Sequence, residues 1–198
     1  LRKMGRVGSF PWQPRIPVNT FWDFGVDDAN AIWFHQRVRG VNRLIGYFED
    51  QGFGLGHYVN HMNGLGYVWG KHYLPHDANA RQMDVGVTTK KQILFDLGIR
   101  NTKVVPAPSD INTGIDQLRT FLLTCEFDAV GCKDGIRMLD SYQREWDEKL
   151  GRFSTRPLHN FASHGCDALR QAAQGYEPDV TMPTLNSTYA VLDSQVGY

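Results

Sequence analysis

The feature that most constrains this chain is a change of rhythm at Pro75. Before it, three segments dense in aromatic and branched residues follow one another with only short breaks: Thr20-Phe-Trp-Asp-Phe24, Ala31-Ile-Trp-Phe-His-Gln-Arg-Val38 and Arg43-Leu-Ile-Gly-Tyr-Phe-Glu49. Such residues favour strands. Turn-forming residues separate the segments at Gly25-Val-Asp-Asp28 and Gly40-Val-Asn42, so the three read as an antiparallel meander. Residues 56–63 read as a helix and 67–74 as a fourth strand, ended by Pro75. Beyond it, short strands alternate with helices. Helix 89–97 is stopped by Gly98, and strand 103–105 leads to helix 110–123, with Asp110 as its N-cap. Strand 127–130, helix 131–148 and helix 163–174, closed by Gly175, complete the reading. Antiparallel strands followed by strands alternating with helices predict an α/β chain with one mixed sheet and helices on both faces.

At 198 residues the chain suits one domain with tails. Residues 1–17 hold Arg2, Lys3, Arg6 and Arg15 with no acid, and three prolines and two glycines, the composition of a linker or basic lead-in. The domain proper is expected over 18–175. Residues 176–198 carry Glu177, Asp179 and Asp193 without Lys or Arg, and read as a flexible acidic tail. Because the chain starts at Leu1, it is expected to be a piece of something longer. Lys and Arg together number 21, as do Asp and Glu, so any contact with nucleic acid must come from a local patch. Lys90, Lys91, Arg100 and Lys103 form one such patch, and the charged stretch 133–156, read first as a solvated helix face, offers another. Three cysteines without a CxxC exclude a disulfide framework and a Cys-rich zinc site. No apolar run approaches the ~18 residues of a membrane span, and no signal peptide opens the chain, so an intracellular protein is expected.

Three acids stand where chemistry gathers. Asp23 interrupts an apolar strand just before a glycine turn, and burying a carboxylate there demands a cation, a metal or solvent. It reads equally as a strand-end Asp that bonds the backbone of the turn. Asp77 follows the fourth strand, where ligands collect in α/β sheets, though it also suits a helix N-cap. Asp167 lies near the start of the last helix, where the helix dipole alone favours an acid. His164 precedes it by three residues and shares its face. Acids this far apart in sequence are what hard divalent cations need when no single loop supplies the ligands. Two Mg²⁺ or Mn²⁺ ions about 3.5–4 Å apart would suit phosphodiester cleavage.

Competing signals are less complete. His57 and His61 have the spacing of a zinc pair, but Tyr58 stands where an HExxH motif requires Glu. Gly52-Phe-Gly-Leu-Gly56 begins like a dinucleotide loop, and His57 occupies the place of its third glycine. No P-loop occurs.

Taken together, Phe21-Trp-Asp-Phe-Gly-Val-Asp-Asp-Ala-Asn-Ala-Ile-Trp-Phe34, Tyr73-Leu-Pro-His-Asp-Ala78, Gly135-Ile-Arg-Met-Leu-Asp-Ser-Tyr142 and Ser163-His-Gly-Cys-Asp-Ala-Leu-Arg170 resemble the C-terminal nuclease domain of the large terminase subunit of tailed bacteriophages. The resemblance covers roughly residues 15–175. It implies a ribonuclease H-like fold, consistent with the predicted element order, and metal-dependent endonuclease cleavage of double-stranded concatemeric DNA during viral genome packaging. It also implies Asp23, Asp77 and Asp167 as ligands of two Mg²⁺ or Mn²⁺ ions, His164 beside the last acid, and Asp28 as an auxiliary. The partners implied are double-stranded DNA, an N-terminal ATPase domain in the full-length protein, the small terminase subunit and the portal, all in the host cell cytoplasm and none in a membrane. The ATPase motor of the family has no counterpart in this sequence. Some members carry Glu at the second acid, where this chain has Asp77. A second reading makes the domain a docking module that binds portal or other packaging subunits with little cleavage of its own, and a third is a zinc hydrolase on His57 and His61.

Overall fold

A computed structural model describes residues 1–25, 29–82 and 88–178. Strands β1 (Val7–Gly8), β2 (Val18–Phe24), β3 (Ala29–Val38) and β4 (Val41–Gln51) lead to helix α1 (Leu55–Gly64) and strand β5 (Trp69–Leu74). Short strands β6 (Arg81–Gln82) and β7 (Thr88–Thr89) pair with each other ahead of helix α2 (Lys90–Asp96) and strand β8 (Thr102–Val104). Helix α3 (Ile111–Leu122), strand β9 (Cys125–Asp128), helix α4 (Lys133–Ser141), strands β10 (Arg144–Asp147) and β11 (Arg152–Pro157) and helix α5 (Ser163–Gly175) follow.

The described strands form one mixed sheet in the order β1-β9-β4-β3-β2-β5-β8, with two small hairpins beside it. The meander β2-β3-β4 is antiparallel as expected, while β5 joins β2, β8 joins β5 and β9 joins β4 in parallel. Strands β3 and β4 meet in a two-residue turn at Arg39 (φ 49°) and Gly40 (φ 81°), the left-handed pair a type I′ turn requires. The turn falls one residue earlier than the expected break at 40–42, because Val41 already pairs with Val38. In the first expected turn, residues 26–28, Asp28 among them, lie outside the described residues.

Helices cover both faces, so the central strands are buried on both sides and read as nearly continuous apolar runs. On one face Phe21, Trp33, Leu44 and Tyr73 pack against Leu118 of α3, Ile136 of α4 and Ala168, Leu169 and Ala172 of α5. On the other, Trp22, Phe24, Ile32 and Phe34 pack against Tyr58, Val59 and Met62 of α1 and Leu94 of α2.

Two stretches differ from the sequence reading. The helix expected over 131–148 ends at Ser141, and residues 144–157 fold into the β10–β11 hairpin, with the rings of Trp146 and Phe153 edge-on at 5.0 Å. That stretch carries charges without an apolar stripe for a helix to bury, so the helical reading of its charge pattern had nothing to hold it against the sheet. Residues 1–17, expected as a linker, contribute an edge strand: β1 pairs in parallel with β9, and the amide of Phe10 donates to Asp128 Oδ2 at 3.0 Å. At the other end Tyr176 packs its ring on His35 and Phe21. No helix among the described residues is long and apolar enough to cross a membrane.

Candidate active site

Asp23 is the next-to-last residue of β2 and shares the α5 face with Phe21, since alternate residues of a strand point the same way. Across it lies the first half of α5, pinned by two contacts. Trp33 Nε1 donates to the carbonyl of Gly165 at 2.7 Å. Gly165 itself packs so closely that a Cβ there would stand 2.9 Å from both Met138 Cβ and the Tyr47 hydroxyl. With the helix held this near, His164 Nδ1 donates to Asp23 Oδ2 at 3.1 Å, with side chains only 11% and 18% exposed.

Asp167 follows one turn later. Arg170 Nη2 approaches its Oδ1 to 3.0 Å, an ion-pair distance without hydrogen-bond geometry, so that sealed oxygen has no hydrogen-bond donor. Burial lifts the Asp167 carboxyl to about 6; Arg170 opposes the rise and the Asp23 charge adds to it. Asp23, His164 and Asp167 are therefore brought into one electrostatic group by β2 and α5.

Asp77 arrives from a different direction, in the single 3₁₀ turn His76–Asn79 that follows β5. Because β5 runs parallel to β2 as its neighbour, Asp23 and Asp77 both mark C-terminal strand ends on adjacent strands. Asp77 is engaged by a cation of the chain itself: Lys90 Nζ lies 3.4 Å from its Oδ2. Among the described residues, no three His, Cys, Asp or Glu side chains are gathered closely enough to hold a metal ion. The donor types nevertheless fit hard divalent cations, and the observation that fits best is the buried Asp167 oxygen left without a donor.

Glu49 is a neighbour the sequence reading missed. Asp23 pairs with Ala31 and Ala31 with Glu49, so the three side by side face the same layer. The Tyr47 hydroxyl donates to Glu49 Oε2. Burial pushes the Glu49 carboxyl up, against the pull of Tyr47 and His164. Glu49 also lines a cavity of about 490 Å³ with Asp134 and Arg137. Its only signal in sequence was an acid at the end of a strand, and register alone decides whether Glu49 or Asp50 faces the site.

The zinc pair dissolves into packing. His57 bonds Asp50 Oδ2 at 2.9 Å and stacks on Phe53, and His61 stacks on Phe48 with ring centres 3.7 Å apart.

No protein-family model matches the chain, and no curated protein sequence matches it. Solved structures do. The large terminase of a thermophilic bacteriophage superposes with a TM-score of 0.65 at 17% identity, over 86% of this chain and 42% of that one. The nuclease domain of the bacteriophage P22 large terminase gives 0.63 at 15% identity, over 86% and 87%. The nuclease domain of the bacteriophage SPP1 large terminase, with bound Mn, gives 0.58 at 13% identity, over 84% and 94%. The chain thus spans about two-fifths of the intact terminase it matches and nearly the whole of the isolated nuclease domains. Its mixed sheet with helices on both faces is the ribonuclease H-like arrangement of those domains, as the resemblance in sequence implied.

Proposed function

We propose that this chain is a divalent-metal-dependent endonuclease domain that cuts double-stranded, concatemeric viral DNA during genome packaging. The observation that carries the reading is the convergence of Asp23 with His164 and Asp167 from opposite ends of the sequence, with one Asp167 oxygen buried and lacking a donor. The fold shared with terminase nuclease domains, one of them holding Mn, supports it.

In this reading Asp23, Asp77 and Asp167 would hold two Mg²⁺ or Mn²⁺ ions. Such ions, when bound, acidify a water for attack and neutralise charge on the phosphodiester. The chain's own residues set the geometry. Trp33 and Gly165 fix α5 so that Asp167 faces the site, and His164 orients Asp23 through its Nδ1 proton. A ring nitrogen that holds a proton against a site carboxylate is also placed to pass one to a reacting oxygen. As a nuclease module the chain would act joined to an ATPase motor, beside a small terminase subunit and a portal, in the host cytoplasm.

Digestion of supercoiled plasmid with Mg²⁺, Mn²⁺, Zn²⁺ or EDTA tests this. Wild type should cut with Mg²⁺ or Mn²⁺, and Asp23→Asn and Asp167→Asn should lose at least about a hundredfold in rate while still folding. Intact plasmid under every metal would overturn the nuclease reading and favour a docking module for packaging subunits.

A further inference from the structure

Lys90 sits where a lysine is costly. It is the first residue of α2, directly after the N-cap Thr89, whose side chain accepts from the Gln92 amide at 3.1 Å. A cation at that end opposes the helix dipole. Its side chain is only 13% exposed, although lysine is seldom buried unless paired. The ammonium is held over the ring of Phe24, 4.9 Å from its centre, and Phe24 directly follows Asp23. It thereby reaches Asp77 Oδ2 at 3.4 Å, long for a charge-assisted hydrogen bond, which closes to about 2.7–2.9 Å. The positive charge is thus stationed beside Asp77 by the aromatic face and joined to the carboxylate by a long hydrogen bond. A point charge on a flexible four-carbon stem can leave such a position.

We infer that Lys90 is the resident counter-cation of Asp77: in the metal-free domain its ammonium stands in the charge position that a divalent ion at Asp77 would take, and that ion binds only by displacing it. The inference rests on the metal site proposed above. A divalent ion at Asp77 must therefore overcome like-charge repulsion or move Lys90 aside, while at Asp167 the standing cation is Arg170, 3.0 Å from Oδ1.

The test is a calorimetric titration of the full chain with Mn²⁺ in the absence of DNA, so that its readout is metal binding and not cleavage. Wild type should bind Mn²⁺, and the site that Asp77→Asn loses is the one at Asp77. Lys90→Met, which keeps the stem on Phe24 and removes the charge, should tighten the Asp77 site by about tenfold or more and leave binding at Asp23 and Asp167 unchanged. Lys90→Gln should do the same, and Lys90→Arg should not. If Asp77→Asn removes a site but Lys90→Met and Lys90→Gln bind Mn²⁺ as wild type does, the role of Lys90 is overturned and the metal site stands. If wild type binds no Mn²⁺ and the charge-removing variants bind none either, the metal site falls and this inference with it.

Discussion

Trp22 and Asp23 are consecutive residues of one strand and belong to opposite worlds. Trp22 faces α1 and α2, where its indole Nε1 donates to Thr20 Oγ1 at 2.7 Å, and Thr20 in turn meets His72 Nδ1 at 2.8 Å. That chain of polar atoms is closed; on this face the indole nitrogen of Trp12, at the margin, is left without a partner. Asp23 faces α5, where Asp167 Oδ1, Arg170 Nη1 and Gln174 Nε2 are buried without hydrogen bonds. Closed networks rigidify a core, while open ones cost stability unless something else completes them. The difference teaches where the domain is built for itself and where it is built for a ligand.

The largest effect that could break this comparison is in the closed layer. Trp22→Ala should cost about 3–5 kcal/mol, because it empties a fully buried site and takes the indole donor from Thr20 Oγ1. A denaturant midpoint near that of wild type would mean the α1–α2 face is not the stabilising one.

Acid should separate the two regions next. Burial holds His72 and His35 down to about 4, below the ordinary 6.5. Between those values the unfolded chain binds the protons that the native chain refuses, so their stabilisation is complete above 6.5 and is lost as pH falls towards 4, up to about 3 kcal/mol for each histidine. Asp167 has the opposite sign. Its carboxyl is lifted to about 6, so between 3.8 and 6 the native chain binds the extra proton and gains stability on acidification. Urea unfolding of metal-free protein across this range should therefore show a steeper acid-side loss in Asp167→Asn than in wild type.

At neutral pH the same Asp167→Asn change should raise metal-free stability by about 1–3 kcal/mol, since it removes a buried, under-bonded charge. A loss instead would show that Arg170 repays the burial of Asp167 in full. The smallest effect belongs to the hairpin: Trp146, about half exposed and packed on Phe153, should tolerate Trp146→Ala within about 0.5 kcal/mol by thermal melting.

Much of the candidate site was legible because charge in the wrong place is a local signal. Asp23 stood out inside Phe21-Trp-Asp-Phe24, and His164 and Asp167 announced themselves by a three-residue spacing on one helix. Asp77 was visible as an acid after a strand. Glu49 was not, because Glu49 and Asp50 are equivalent until the pairing of β4 with β3 picks one of them. Lys90 read as part of a basic patch, and nothing in its neighbours tells that Phe24, far off in sequence, seats its ammonium beside Asp77. The hairpin over 144–157 was read as helix since its charges satisfy helical spacing by chance, and an exposed segment lacks the apolar periodicity that would correct it.

The sequence by itself determined the meander, the later alternation of strands and helices, and the residues able to carry charge into the sheet. These follow from backbone preference and from the cost of burying a carboxylate, both local quantities. Tertiary structure alone decided that Val7–Gly8 joins β9, that α5 lies against β2 closely enough for His164 to reach Asp23, and that a lysine meets Asp77. Those outcomes depend on register and on the packing distance between layers, and such long-range contacts leave no trace in the residues on either side of them.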